Sequence, residues 1–278
     1  MIEIKEKVTI ILSTYNATNY IDACLKSIED QSYDNFNVHI IDDCSSDNTT
    51  GVIRTWVKKD TRFKLIDVHQ ENKGLTRTLN ELLTTCDTKY VVRMDADDMM
   101  HPDRLRTQME YLELNKEISV LGSWAQDIDE QGNYKEVRKM PIKNKDIQNI
   151  ISKVNPIIHP SVIFNRADII EIGGYNEIYR FAQDYELWFR AVANNLKIEN
   201  IAVPLLYYRV SSTHAEKRRM SYRMLDSKIR WHGTKAIGCS LPKRIVSASL
   251  PIAFGLMPDF LKNYTMSIRE KIDPRHKV

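Results

Sequence analysis

Three aspartates follow an apolar run in the middle of the chain. Tyr90-Val91-Val92 is typical of a buried strand, and Asp95, Asp97 and Asp98 come directly after it. Crowded carboxylates repel one another at the end of a buried strand unless a positive charge neutralises them. Divalent hard cations such as Mg²⁺ and Mn²⁺ prefer oxygen ligands and are the usual solution. In an extended segment the i, i+2 spacing points Asp95 and Asp97 the same way. The pattern therefore predicts a metal site.

Aspartates at similar spacing also occur in calcium-binding loops and in phosphatases. An EF-hand loop is excluded, because position 6 counted from Asp95 is Met100 instead of Gly and position 12 is Arg106 instead of Glu. A phosphatase motif of the D-x-D-x-[TV] type normally ends the first strand and continues with Thr or Val, whereas Met99 follows here. On this segment alone, a solvated helix cap before the sequence HPDRL remains an open alternative.

Strand and helix patterns alternate regularly in the part of the sequence that leads to the aspartates. Strand-like runs occupy residues 8–13, 36–42, 62–68 and 90–94, and apolar residues at helical spacing lie between them. This repeat predicts an α/β fold with a doubly wound, mostly parallel sheet flanked by helices.

Ligands of such sheets bind beyond the carboxyl ends of the strands. The sequences that follow the four strands are polar: STYN (13–16), DDCSSD (42–47), QENKGLTR (70–77) and DADD (95–98). No G-x-G-x-x-G follows the first strand, and no G-x-x-x-x-G-K-[ST] occurs in the sequence. These absences argue against a dinucleotide enzyme and against a P-loop NTPase.

The pattern changes after about residue 118. A strand, a turn at Gly132 and a second strand come first, and the Pro-bounded residues 155–164 are strand-like. Residues 184–194 form a helical pattern and residues 203–210 another strand. We expect one continuous domain over residues 1–212, followed by an extension over residues 213–278.

Composition bounds the class of protein. The 278 residues are 42% hydrophobic and 28% charged, as in a globular protein with a real core. The N-terminus does not resemble a signal peptide, and the longest apolar stretch, residues 245–257, is too short to span a bilayer. The four cysteines lie far apart without zinc-like spacing, which is typical of reduced cytosolic thiols.

The net charge of +3 conceals an asymmetry. Residues 217–278 hold 14 Lys/Arg and 4 Asp/Glu, so an acidic body carries a basic, partly apolar tail. Such a segment predicts an anionic partner, although a solvated basic helix would also account for it. A membrane surface is the expected partner, and no nucleic acid is expected because the tail lacks a recognisable binding motif. No feature of the sequence indicates an oligomeric state.

Five segments taken together resemble the family-2 glycosyltransferases: VTIILSTYN, IIDDCSSDNT, ENKGLTRTLNELL, YVVRMDADDMMHPDRL and GGYNEIYRFAQDYELWFRA. The resemblance covers about residues 7–212 and is greatest to bacterial enzymes of O-antigen, capsule and exopolysaccharide synthesis. It implies the GT-A fold and inverting transfer from a nucleotide-sugar. Residues 1–117 would be the nucleotide-sugar half and residues 118–212 the acceptor half, with residues 213–278 as a basic amphipathic helical tail.

The resemblance also implies roles for individual residues. Asp97 and Asp95 match the D-x-D motif that holds Mn²⁺ or Mg²⁺, and Asp184 matches the catalytic base, although the family's usual Glu-Asp is Gln183-Asp184 here. His159 and His214 are candidates for contacts to acceptor or diphosphate, with a purely structural histidine as the alternative for each. Arg209 is a candidate for a phosphate contact, with a pair to a neighbouring acid as the alternative. The positions that would bind the nucleotide-sugar are Thr14, Tyr15, Asn16, Asp42, Asp43, Arg77, Asp95 and Ala96.

The implied function is transfer of a hexose to a hydroxyl group of a lipid-diphosphate-linked saccharide. UDP is the expected nucleotide, with GDP and dTDP as alternatives, and the expected location is the cytoplasmic face of the cell membrane. A sugar-1-phosphate nucleotidyltransferase has the same layout but needs a Gly-rich loop after strand one, and STYNATNY contains no Gly. A non-catalytic sugar- or membrane-binding module is the other alternative.

Overall fold

The computed structural model describes residues 6–210 and 220–258. Within these ranges one nine-stranded sheet forms the centre of the molecule. Its strands are β1 (Val8–Thr14), β2 (Phe36–Asp42), β3 (Phe63–Val68), β4 (Tyr90–Asp95), β5 (Met99–Met100), β6 (Ile118–Ile128), β7 (Tyr134–Arg138), β8 (Ile163–Asn165) and β9 (Lys197–Arg209).

Helices cover the sheet, and a single 3₁₀ turn (His159–Ser161) precedes β8 within the described ranges. The α-helices of the same ranges are α1 (Ile21–Glu29), α2 (Thr49–Lys59), α3 (Leu75–Thr85), α4 (Arg104–Leu114), α5 (Asn144–Ile150), α6 (Arg166–Glu171), α7 (Gln183–Ala193), α8 (Met220–Ala236) and α9 (Leu241–Leu256).

The sheet has the order β3-β2-β1-β4-β8-β6-β9-β5, and β7 pairs with β6. Strands β1 to β4 are parallel, as predicted, while β8 runs antiparallel to both of its neighbours. The predicted α/β architecture is confirmed, and the second half of the chain makes the sheet mixed. Since β1 lies between β2 and β4, the chain reverses its direction of winding there, which places a crevice at the carboxyl ends of these strands.

The central strands are continuous apolar runs because both of their faces are buried. One hydrophobic cluster packs the sheet against α1, α2 and α4, and a second packs it against α3, α6 and α7. Trp188 of α7 is fully buried in the second cluster. The two clusters hold the sheet rigidly between two layers of helices.

The strand predicted over residues 155–164 is wrong for most of its length. Only Ile163–Asn165 forms a strand, and the preceding residues make the 3₁₀ turn. Pro156 and Pro160 have no N–H to donate to a strand ladder, which explains the interruption. The strand predicted over residues 203–210 is the end of a longer one, β9, and the sequence patterns did not predict α4, α5 or α6.

The described part of the C-terminal extension, residues 220–258, forms helices α8 and α9, as predicted, and α8 packs directly on α7. The residue Gly233 lies against the ring of Phe189, and Arg230 donates hydrogen bonds to the carbonyls of Ser152 and Lys153. None of the helices in the described part of the chain is long and apolar enough to cross a membrane. The tail residues Lys217, Arg218, Arg219 and 260–261, and the candidate His214, lie outside the described residues.

Gly233→Ala should destabilise the protein although alanine favours helices by about 1 kcal/mol. A Cβ at this position would lie 2.3 Å from Cγ of Phe189, so α8 must shift away from α7. Overpacking of this kind costs about 1–3 kcal/mol, and each kcal/mol lowers Tm by about 2–4 °C in a protein of this size. Thermal unfolding, with Lys235→Ala at an exposed position as control, measures the effect. A Tm at or above that of the native protein would show that α8 is not docked on α7 in this way.

Candidate active site

The carboxyl ends of β1, β2 and β4 lie side by side. Thr14 is in register with Asp42, and Ser13 is in register with Asp95. A cavity of about 1180 Å³ opens at this edge. Its lining includes seven of the predicted site residues: Thr14, Tyr15, Asp43, Arg77, Asp95, His159 and Asp184. The predicted site residues that do not line it are Asn16, Asp42, Ala96, Asp97 and Arg209.

One end of the cavity is formed by residues that follow β1 and β3. Thr14 is buried, and its hydroxyl oxygen has no hydrogen-bond partner among the described residues. Tyr15 is half exposed, and Arg77 pairs with Glu177 at 3.3 Å on the rim. A free hydroxyl, an exposed aromatic ring and a guanidinium suit a base and its attached phosphates.

Asp43 is fixed by three donors at this end of the cavity. Its carboxylate accepts hydrogen bonds from the backbone N–H groups of Lys73 and Gly74, both at 2.8 Å, and contacts Nδ1 of His69 at 2.7 Å. The other ring nitrogen of His69 lies 2.7 Å from a carboxylate oxygen of Glu81. Asp43 therefore presents its remaining acceptor capacity in a rigid orientation.

Asp42 and Asn16 hold the loops around this end. The Asp42 carboxylate is completely buried and accepts from the backbone and hydroxyl of Ser45 and from the hydroxyl of Thr50. Asn16 has a positive φ of 48° and accepts from the backbone N–H of Ser46 at 2.8 Å. Of the two neighbouring aspartates, only Asp43 reaches the cavity.

The acidic segment brings three carboxylates together after β4. Oxygen atoms of Asp95, Asp97 and Asp98 lie within 4.8 Å of one another. Asp95 pairs with Arg93, and Asp98 accepts from the backbone N–H of Arg209 at 2.7 Å. The second oxygen of Asp98 is buried without a hydrogen-bond partner in the described part of the chain.

This donor set fits a divalent hard cation. Burial and the neighbouring carboxylates raise the pKa of Asp98 well above its usual range. Desolvation of the carboxyl group by surrounding protein atoms, followed by the charge of Asp95, raises the pKa of Asp97 to about 6, although the residue as a whole is exposed. An all-oxygen cluster with one orphaned buried oxygen and raised pKa values gains from a positive ion. Asp97 is exposed and Asp95 partly exposed, which leaves an approach from solvent.

Arg209 holds the acidic segment in place. Its guanidinium donates to the backbone carbonyls of Asp97, Asp129 and Glu130 at 2.8 to 3.0 Å. Its own backbone N–H reaches Asp98. These bonds commit Arg209 to the protein backbone, and the side chain is 9% exposed.

Asp184 lies at the other end of the cavity, in the first turn of α7. Ala182, with a left-handed φ of 53°, precedes the helix and turns the chain into it. Asn155 donates a hydrogen bond to the Asp184 carboxylate at 2.7 Å. Burial raises the pKa of Asp184, while the Asn155 N–H and the charge of Arg93 act in the opposite direction. A partly buried carboxylate with a raised pKa is suited to accept a proton near neutral pH.

His159 is a neutral part of the cavity wall. Its Nε2 lies 2.8 Å from the hydroxyl of Tyr175, and its ring packs edge-on against Tyr175 and Trp188. Burial, together with the charge of Arg93, lowers the pKa of His159 well below its usual value. The side chain is therefore uncharged at neutral pH.

The cavity also contains residues that the sequence patterns did not predict. Arg93 is an arginine within an apolar strand, and that unusual position is the one local signal for it. Tyr222, Asp226 and Arg230 of α8 also line the cavity, and the rings of Phe181 and Tyr222 lie 6.1 Å apart at its edge. The C-terminal extension thus supplies one wall of the candidate site.

Comparison with protein families matches residues 9–173 to the family described as Glycosyl transferase family 2. Among curated proteins, the amylovoran biosynthesis glycosyltransferase AmsE of Erwinia amylovora is 27% identical over 82% of this chain and 85% of its own. The UDP-Gal:alpha-D-GlcNAc-diphosphoundecaprenol beta-1,3-galactosyltransferase of Escherichia coli is 27% identical over 70% of this chain and 71% of its own.

Two solved structures share the fold. The S. aureus TarS fragment 1–349 in complex with UDP superimposes with a TM-score of 0.68 at 19% identity, over 88% of this chain and 70% of that chain. The mannosyltransferase PcManGT of Pyrobaculum calidifontis, in complex with GDP-Man and Mn²⁺, has a TM-score of 0.61 at 16% identity, over 99% of this chain and 83% of that chain. Both likenesses support the predicted GT-A architecture.

Proposed function

Since this chain belongs to glycosyl transferase family 2, we propose that it transfers a hexose from a UDP-linked donor to a lipid-diphosphate-linked saccharide. The acceptor is a sugar hydroxyl, the anomeric centre inverts, and the product is a growing surface polysaccharide. One observation carries the proposal: a single cavity is lined by Thr14, Asp43, Asp95 and Asp184.

The properties of similar proteins support the choice of substrates. The E. coli relative is named for a UDP-galactose donor and an acceptor on diphosphoundecaprenol, and the E. amylovora relative for amylovoran biosynthesis. The TarS fragment binds UDP. In our proposal residues 1–117 bind the donor, residues 118–212 bind the acceptor, and the extension adds a wall to the acceptor end.

In the proposed mechanism Thr14, Tyr15 and Asp43 bind the nucleotide base, and Arg77 approaches the phosphates. Asp97 and Asp95, with Asp98 behind them, would hold Mn²⁺ or Mg²⁺. A bound metal ion would supply Lewis-acid neutralisation of the charge that develops on the leaving diphosphate.

Asp184 is the proposed general base. It accepts the proton of the acceptor hydroxyl as that oxygen forms a bond to C1 of the sugar. The bond between C1 and the diphosphate oxygen breaks in the same displacement, and its electron pair leaves with the nucleoside diphosphate. One displacement inverts the anomeric centre, so no second carboxylate is required as a nucleophile.

The test of this function is a panel of UDP-, GDP- and dTDP-sugars measured for metal-dependent binding and hydrolysis. A sugar-1-phosphate nucleotidyltransferase would instead turn over a nucleoside triphosphate with a sugar 1-phosphate. A non-catalytic module would bind a nucleotide-sugar, or membrane, without consuming any donor.

Asp97→Ala should remove most activity and most of the Mn²⁺ binding that accompanies UDP. The substitution deletes an exposed carboxylate from a cluster whose oxygens lie within 4.8 Å of one another. Calorimetric titration of Mn²⁺ in the presence of UDP measures the loss, and Asp146→Ala removes the same charge at an exposed position of α5. Full turnover of the native enzyme in EDTA would contradict the proposed metal dependence.

Asp184→Asn should lower kcat by about 10²- to 10⁴-fold, because an amide cannot accept the proton. The variant should fold and bind UDP with Mn²⁺ as the native enzyme does, since asparagine has nearly the same shape and keeps a side-chain oxygen that can accept from Asn155, and the nucleotide end lies elsewhere. Near-native transfer rates would reject Asp184 as the base.

The pH profile gives an independent measurement of the same role. Asn155→Ala removes the N–H that favours the ionised Asp184, so the pKa of Asp184 should rise. The base works in its ionised form, and activity is lost as the pH falls through this pKa. The acidic limb of kcat/KM, measured from about pH 5 to 9, should therefore move to higher pH. An unmoved limb would mean that another group accepts the proton.

We also propose that helix α9 docks the enzyme on the anionic inner face of the cell membrane. Five of its apolar side chains are exposed, and the basic residues Lys243 and Arg244 belong to the same helix. Each basic side chain near an anionic leaflet contributes about 1 kcal/mol, and the exposed apolar side chains add burial. The apolar residues are Leu241, Ile245, Val246, Leu250 and Leu256.

The paired substitution Ile245→Glu with Val246→Glu should strongly reduce flotation of the full-length protein with phosphatidylglycerol-containing vesicles. Both side chains are more than half exposed, so the fold should be retained. Thr55→Glu with Thr61→Glu adds the same charge at exposed positions of α2 and the loop after it. Native protein that stays in the soluble fraction, or a variant that floats like the native protein, would contradict membrane docking through α9.

A further inference from the structure

Arg93 carries two unsatisfied donors at the floor of the cavity. The side chain is 2% exposed, and its Nη2 pairs with a carboxylate oxygen of Asp95. Nε and Nη1 have no hydrogen-bond partner among the described residues. A buried N–H without a partner costs about 1–3 kcal/mol, and more when it belongs to a charged group. Because Arg93 lines the cavity, a molecule that fills it is the candidate source of the acceptors that these two buried donors lack.

The position of Arg93 is at the junction of the two halves of the cavity. Asp95 follows Arg93 on β4. The backbone N–H of Arg93 donates to the carbonyl of Val162, which lies next to the 3₁₀ turn that carries His159. Arg93 and Asp184 line the same cavity, and the charge of Arg93 partly offsets the rise that burial causes in the pKa of Asp184. In a single displacement the transferred sugar lies between the diphosphate and the acceptor hydroxyl. A side chain between Asp95 and Asp184 therefore faces that sugar.

The shape of the guanidinium indicates what kind of group it binds. A planar guanidinium can bind one carboxylate or phosphate through two nitrogens, either Nη1 with Nη2 or Nε with Nη2. Nη2 belongs to both pairs, and here it is already paired with Asp95. The free Nε–H and Nη1–H groups open onto different edges. They therefore suit two separate oxygen atoms better than the two oxygens of one phosphate or carboxylate. Hydroxyl groups that are not neighbours on a pyranose ring are separated acceptors of this kind.

We propose that Arg93 binds the transferred sugar by donating Nε–H and Nη1–H to two of its hydroxyl oxygens. The inference rests on the proposed function, since it assigns a residue to the donor sugar of that same cavity. Arg93 thereby holds the anomeric carbon in line between the leaving diphosphate and Asp184. It also makes the enzyme sensitive to the configuration of the hydroxyls it contacts.

The central experiment compares binding of UDP with binding of intact UDP-sugars in the presence of Mn²⁺. Arg93→Lys keeps the positive charge beside Asp95 and removes the two free donors. Calorimetry with UDP, UDP-glucose, UDP-galactose and UDP-N-acetylglucosamine should show unchanged affinity for UDP. The affinity for the donor that native protein prefers should fall about 10- to 100-fold, the effect of losing one or two charged hydrogen bonds.

Arg138→Lys is the matched control. Arg138 also lines the cavity, but its guanidinium is paired in a fork with Asp127 at 3.0 and 2.7 Å. Its replacement should leave the ratio of UDP-sugar affinity to UDP affinity unchanged. Equal losses of UDP and UDP-sugar affinity in Arg93→Lys would overturn the assignment, because Arg93 would then serve the diphosphate or Asp95. Unchanged affinities for both would overturn it as well.

A second measurement uses native protein and needs no folded variant. UDP-sugars deoxygenated at one ring position at a time should include at least one that binds about 10-fold more weakly than its parent. If every deoxygenated donor binds as tightly as its parent, no hydroxyl accepts from Arg93 and the proposal fails. A native protein that binds none of the UDP-, GDP- or dTDP-sugars would instead reject the proposed function itself, and the assignment of Arg93 with it.

Discussion

Three carboxylates repel one another at the end of the sheet that borders the cavity, and the surrounding structure has to offset this repulsion. Asp95, Asp97 and Asp98 lie within four consecutive positions, and burial makes their charges more costly. Two arginines act against this repulsion from different sides: Arg93 pairs with the first carboxylate, and Arg209 holds the backbone of the segment. Neither arginine neutralises the cluster completely, and the residual negative charge suits it to a cation.

The same region explains which parts of the site could be predicted from the sequence. Strand ends in a parallel α/β pattern must share one edge, so the meeting of Thr14, Asp43 and Asp95 followed from local periodicity alone. The place of Asp184 came from its resemblance to a family motif. Asp42 and Asp43 could not be told apart, because adjacent residues at a strand end point to opposite sides and sequence does not reveal which side faces the ligand.

The remaining features depend on tertiary contacts that no local pattern encodes. The position of Arg93 inside an apolar strand is visible in the sequence. That two of its donors lack hydrogen-bond partners can be seen only in the tertiary structure. The contribution of α8 to the cavity depends on the close contact of Gly233 with Phe189, residues 44 positions apart. The proline-interrupted segment before β8 forms a 3₁₀ turn instead of the predicted strand. Asn155 from this segment and His159 from the turn both line the cavity.

The hydrogen bonds from Arg209 to Asp97 and Asp98 join residues 112 and 111 positions apart. During synthesis the acidic segment leaves the ribosome long before the arginine that braces it. Contacts of such long range form late, because closing a large loop costs entropy before any contact rewards it. Thr14 ends β1 and Asp43 follows β2, two strands that pair near the start of the chain, whereas the acidic segment is held only when β9 joins the sheet. A nascent chain thus contains every residue around Thr14 and Asp43 long before it contains the arginine that holds the acidic segment.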